Sequence, residues 1–112
     1  MQLPLKVVGR GVEREVLKVG KGVVSDKHTS DFWVFEGVDG RDYAVTGTWG
    51  ADGTSFFWDV TDPTSIKKID SVKVDARTVN DVKVSQDGRI SVISREGASD
   101  RKNGIIILDV SN

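Results

Sequence analysis

The chain has 112 residues, with 16 basic and 17 acidic side chains and a net charge of -1. That balance leaves no basic field to attract nucleic acid, and the absence of cysteine excludes disulfides and thiolate metal sites. No apolar run approaches membrane-spanning length, so no membrane insertion is expected, and the opening MQLPLKVV does not read as a signal peptide.

The first segment, Gln2 to Val8, is extended and apolar in pattern. It is followed by Gly9 to Gly22, whose centre, Val12-Glu13-Arg14-Glu15-Val16-Leu17-Lys18-Val19, is the nearest approach to a helix. Its β-branched valines and flanking Gly11 and Gly20 argue instead for a longer outer strand or an extra hairpin. From there the chain alternates short Val- and Ile-rich runs with glycine-containing turns. The first alternating run opens at Ser30-Asp31 and ends before Asp39-Gly40-Arg41, a hairpin turn in which glycine supplies positive φ. The run YAVTGT follows, then a polar loop, then the apolar run FFWDV. After Asp62-Pro63 the stretch Ser65 to Val74 reads as a half-exposed outer strand.

The pattern then repeats. Asp31 to Asp59 spans 28 positions, Asp81 to Asp109 spans the same, and the two copies are offset by 50. Asn80-Asp81 opens the second copy, Asp87-Gly88-Arg89 is its hairpin turn, ISVISRE its second run and IILDV its third. By alignment, the first copy carries two extra residues before its Asp-Gly turn and the second carries two extra in its polar loop.

Three inner strands and a polar outer one make a β-propeller blade. The expected fold is therefore all-β, with two four-stranded antiparallel blades per chain. Residues 1–23 give an outer strand that completes a neighbouring or terminal blade, plus an extension. Residues 24–75 form the first blade and residues 76–112 the inner three strands of the second. The missing fourth strand is supplied by Gln2 to Val8, which aligns with Pro63 to Ile69. Two blades leave open edges and faces, so a cyclic homo-oligomer is expected. Three chains giving six blades is the preferred ring, with two or four chains as alternatives and a piece of a longer multi-blade protein as the rival reading.

The segments TSDFWV, YAVTGTWG, WDVTDP, TVNDVKVSQDGRISVISREG and NGIIILDVSN recur in an order that resembles the LVIVD-repeat β-propeller proteins. The resemblance covers most of residues 24 to 112 and, weakly, residues 3 to 8. It implies a repeat propeller of the kind found in surface or exported proteins, without a defined activity. This chain is short for that family and its start is not a signal peptide, so localisation is left open.

Strand alternation places one set of loops on one face of such a propeller. His28, Thr29, Ser30, Asp31, Thr48 and Trp49 gather there from the first copy. Thr78, Asn80, Asp81, Arg95, Glu96 and the loop Gly97 to Gly104 gather there from the second. The ligand-binding candidates are His28, Asp31, Trp49, Asn80, Asp81, Arg95 and Glu96. Several have a plainer role: Asp31 and Asp81 as turn anchors on backbone N–H groups, Trp49 as a cap on the core, and His28 as a lone histidine outside any ligand set; Asp59 and Asp109 are likewise read as turn formers and Trp33 and Trp58 as packing residues. No nucleophile elbow, P-loop or acid–base constellation is present, and the aspartate-containing loops do not fit a calcium pattern. No catalytic residue, metal or cofactor is assigned. The functional expectation is a non-enzymatic scaffold or binding platform for a protein or small molecule. A carbohydrate-binding, lectin-like propeller and an enzyme with a site on the propeller axis are the alternatives.

Overall fold

The structure is a computed structural model that describes residues 5–9, 12–24, 26–50 and 52–112. Three antiparallel sheets account for its strands, and no helix occurs among the described residues. Among the described residues, strands β1 (Leu5–Gly9) and β2 (Val12–Val16) pair only with each other, Leu5 opposite Val16 and Gly9 opposite Val12. Leu5 to Val8, expected to complete a neighbouring or terminal blade, thus form a hairpin with the following segment of their own chain, whereas Gln2 to Pro4 lie outside the described residues.

The first copy of the repeat is a four-stranded meander in the order β3 (His28–Glu36), β4 (Asp42–Trp49), β5 (Thr54–Asp59) and β6 (Lys67–Lys73). The outer strand is shorter than expected by the residues that flank Lys67 and Lys73, and it is exposed along nearly its whole length. The second copy is a three-stranded meander of β7 (Val82–Val84), β8 (Ile90–Arg95) and β9 (Gly104–Asp109). Both Asp-Gly turns are as expected: Gly40 has φ 78° and Gly88 has φ 73°. The carboxylates of Asp39 and Asp87 accept from the N–H of Arg41 and Arg89.

The register adds one detail to the sequence alignment. Phe32 pairs with Thr46 in the first sheet and Val82 pairs with Ile93 in the second, separations of 14 and 11 residues. The two extra residues before the Asp-Gly turn are joined by a third after it, Asp42, so the first hairpin is longer by three. The paired strands on either side agree, since Tyr43 faces Asp59 as Ile90 faces Asp109. A turn can absorb a residue without changing its signature, so only the hydrogen-bonded ladder reveals the count.

The two sheets meet face to face. Val45 and Phe57 from the first pack with Val79, Val82, Val84 and Ile93 of the second copy, and Phe35, Val72, Ile106, Leu108 and Val110 close the margins. Val45, Val79, Val82 and Ile93 are fully buried, each contributing about 1.5–3 kcal/mol of hydrophobic stabilisation. The other face of the first sheet buries Ala44, Phe56 and Trp58 under Val24, Val60 and Ile66. Buried hydroxyls are satisfied within the sheets: Thr48 donates to the Thr54 carbonyl, Ser55 to that of Thr46 and Ser91 to that of Lys83. Trp58 donates its indole N–H to Thr46 Oγ1 at 3.0 Å, consistent with a packing role for Trp58. Trp33 sits partly exposed with the Lys83 ammonium 4.9 Å from its ring centre.

Candidate functional site

Cross-strand pairing assembles the strand-end surface. His28 lies opposite Trp49 at the open end of β3 and β4, and their rings stack with centres 4.4 Å apart. Thr78 lies opposite Glu96 as an isolated bridge in the second copy. The two pairs are equivalent in register. Between them runs a shallow concavity of about 290 Å³, lined by Trp49, Gly50, Arg77, Thr78, Glu96 and Gly97. Trp49 is half exposed beside it. The sequence had not singled out Arg77. It is placed there because its N–H donates to the Glu96 carbonyl at 2.7 Å while its own carbonyl accepts from Asp52 N–H.

Arg95 points elsewhere. Its guanidinium donates to the carbonyls of Asp75 and Lys102 and to the Asp75 carboxylate, with Asp100 at 3.4 Å. Ser99 also binds the Asp75 carboxylate, and these contacts hold that carboxyl below the usual range, the Ser99 hydrogen bonds most of all. Arg95 thus staples the loop that follows Glu96, which itself remains exposed at the groove.

Asp31 has a defined partner, but not in its own turn. Its Oδ2 accepts from the N–H of Val82 at 3.1 Å and from Lys83 Nζ at 3.2 Å. The Val82 hydrogen bond, ahead of Lys83, keeps its pKa below the ordinary value. Ser30 donates its hydroxyl to the Val79 carbonyl, and Val79 N–H donates to the Thr48 carbonyl. These contacts tie β3 to β7 and to the segment just before it, and that same segment to β4. Asn80 and Asp81 hold the equivalent places in the second copy. Their N–H groups donate to Ser94 Oγ, and both are exposed. Among the described residues the Asp81 carboxylate has no hydrogen-bond or ion-pair partner.

Asp59 and Asp109 are turn formers at the opposite end. Asp59 accepts from Thr61 N–H and from the Arg41 guanidinium, the latter at 2.6 Å. Its pKa is drawn down to about 2, through Thr61 first and Arg41 next. Asp109 accepts from the N–H and hydroxyl of Ser111.

That end carries a feature the sequence reading missed. A groove of about 270 Å³ opens between β6 and β9, with Phe35, Tyr43, Phe57, Ile69, Val72 and Leu108 among its lining. No local signal marks it, because its walls come from strands of both sheets. Among the described residues, no three His, Asp or Glu side chains gather closely enough to hold a metal ion. No described helix is long and apolar enough to cross a membrane. No family model, curated protein or solved structure matches the chain.

Proposed function

We propose that the chain is a non-enzymatic repeat module of the β-propeller kind. Its two sheets act as blades, its copies associate head to tail into a ring, and the strand-end surface around Trp49 and Glu96 is a platform for a protein or small-molecule ligand. The observation that carries this reading is the stacking of two register-equivalent meanders. One face of the first packs on one face of the second, and the next face in the series is apolar and open. The order of motifs that resembles LVIVD-repeat propellers supports it further. The free edge of β9 beside the groove of Ile69 and Val72 is where a fourth strand would add. Leu5 to Gly9, aligned with the start of β6, has the pattern for that strand. Light scattering tests the assembly: about three chains per particle are expected at micromolar concentration, and a folded, monodisperse monomer overturns it.

A second reading rests on the half-exposed ring of Trp49, which lines a concavity with Thr78, Arg77 and Glu96. A sugar ring stacks on such an indole while polar side chains fix its hydroxyls. A glycan array separates the readings. Binding that is lost in Trp49→Ala favours the lectin-like module, and a blank array leaves the scaffold reading.

A further inference from the structure

We propose that the open face of β8 and β9 is the docking surface for a second copy of this chain, which lays its Phe32 and Val34 upon it while Asp81 accepts the Phe32 N–H of that copy. This inference rests on the assembly proposed above and specifies its junction.

The junction inside the chain is the template. There Val82 and Val84, on the inner strand of the second sheet, bury themselves against Val45 and Phe57 of the first. The register makes Phe32 and Val34 the counterparts of Val82 and Val84, and Val92 and Ile107 the counterparts of Val45 and Phe57. The template residues are buried: Val82 is 0% exposed, Val84 7% and Phe57 8%. Their counterparts are not: Phe32 is 65% exposed, Val34 56% and Ile107 63%, with Ile105 at 63% beside it. Two apolar patches on one small chain, each matching half of a junction that the chain already makes, fit a head-to-tail contact between copies.

The polar stitch follows the same rule. Asp31 caps the N–H of Val82, which lies at an inner edge with no further strand to receive it. Asp81 stands where Asp31 stands, one repeat on, and its carboxylate has no partner among the described residues. Phe32 stands where Val82 stands. Around this stitch three positions depart from the template, since Ser94, Asn80 and Thr29 stand in the places of Gly47, Ser30 and Val79. At Gly47 a Cβ would collide with the Val79 carbonyl and the Ser30 hydroxyl. The second copy's Thr29 therefore cannot approach as closely as Val79 does. Asn80, longer than the Ser30 it replaces, suits that wider gap.

The chain has no cysteine, so paired cysteines read the contact directly. Val34→Cys and Ile107→Cys in one chain lie on opposite outer faces of the stacked sheets, so they cannot join within a molecule. A short bismaleimide should give a ladder of chain multiples ending at the mass of the native particle. Either single variant should stay unlinked, and a dimer from Ile107→Cys alone would mean a back-to-back contact and overturn the head-to-tail geometry. Ile107→Lys should yield a monomer with an unchanged β-sheet spectrum. Asp81→Ala should raise the dissociation constant roughly tenfold, the loss of one charge-assisted hydrogen bond. A parent particle of several chains that keeps its mass in Ile107→Lys and gives no ladder overturns this docking face and leaves assembly standing. A folded monomeric parent without a ladder overturns both.

Discussion

The carboxylate of Asp31 accepts the backbone N–H of Val82 at 3.1 Å, a contact across 51 positions of chain that ties β3 of one sheet to β7 of the other. Val82 is fully buried, so its N–H has no water to turn to. Asp31→Ala should cost about 1–3 kcal/mol of stability, the penalty for an orphaned buried donor. Asp31→Asn, which keeps an acceptor oxygen, should recover much of it. Urea denaturation measures both, and parent-like midpoints in the two variants would show that the contact contributes nothing.

The two hairpin glycines make a matched comparison. Both hold positive φ, which costs an alanine about 1–2 kcal/mol. Around Gly40 there is open space, whereas a Cβ on Gly88 would press into the Glu36 carbonyl of the neighbouring hairpin. Gly88→Ala should therefore lower the melting temperature clearly more than Gly40→Ala. Equal losses would mean that the hairpins do not touch in solution.

Acid should destabilise the fold before it protonates every carboxylate. Asp59 has its pKa lowered to about 2, and Asp31, Asp39 and Asp109 are shifted the same way. A depressed folded-state pKa adds stability that is fully present above the unfolded value near 3.8 and is lost as pH falls toward 2. Melting temperature measured from pH 6 to pH 2 should hold level and then fall below pH 4. Arg41→Gln should shrink that fall, because it removes one of the groups that depress Asp59. An identical profile in the variant would detach Arg41 from the effect.

Removing residues 1–8 should expose the edge that those residues are proposed to cover on a neighbour. An uncovered strand edge beside apolar surface promotes aggregation or dissociation. The truncated chain should therefore sediment as monomer or as large aggregate. An unchanged particle mass and melting temperature would remove Leu5 to Val8 from the assembly.

Much of the fold could be read from residues alone. Period-two alternation, the paired Asp-Gly-Arg turns and the 50-residue offset identify seven strands in two meanders, because they are local signals set by backbone sterics and side-chain alternation. The turn roles of Asp59 and Asp109 were legible for the same reason, since each bonds a residue two positions on. Long-range relations were not. The three-residue difference between the hairpins is defined only by the ladder. The partner of Asp31 is a backbone group in the other sheet, and Arg95 faces Asp75 rather than an axis. Arg77 joins Trp49 and Glu96 only because sheet docking brings two loops together. Sequence determines which residues sit on each face of a strand; which faces meet is decided by burial across sheets, and that depends on contacts no local pattern encodes.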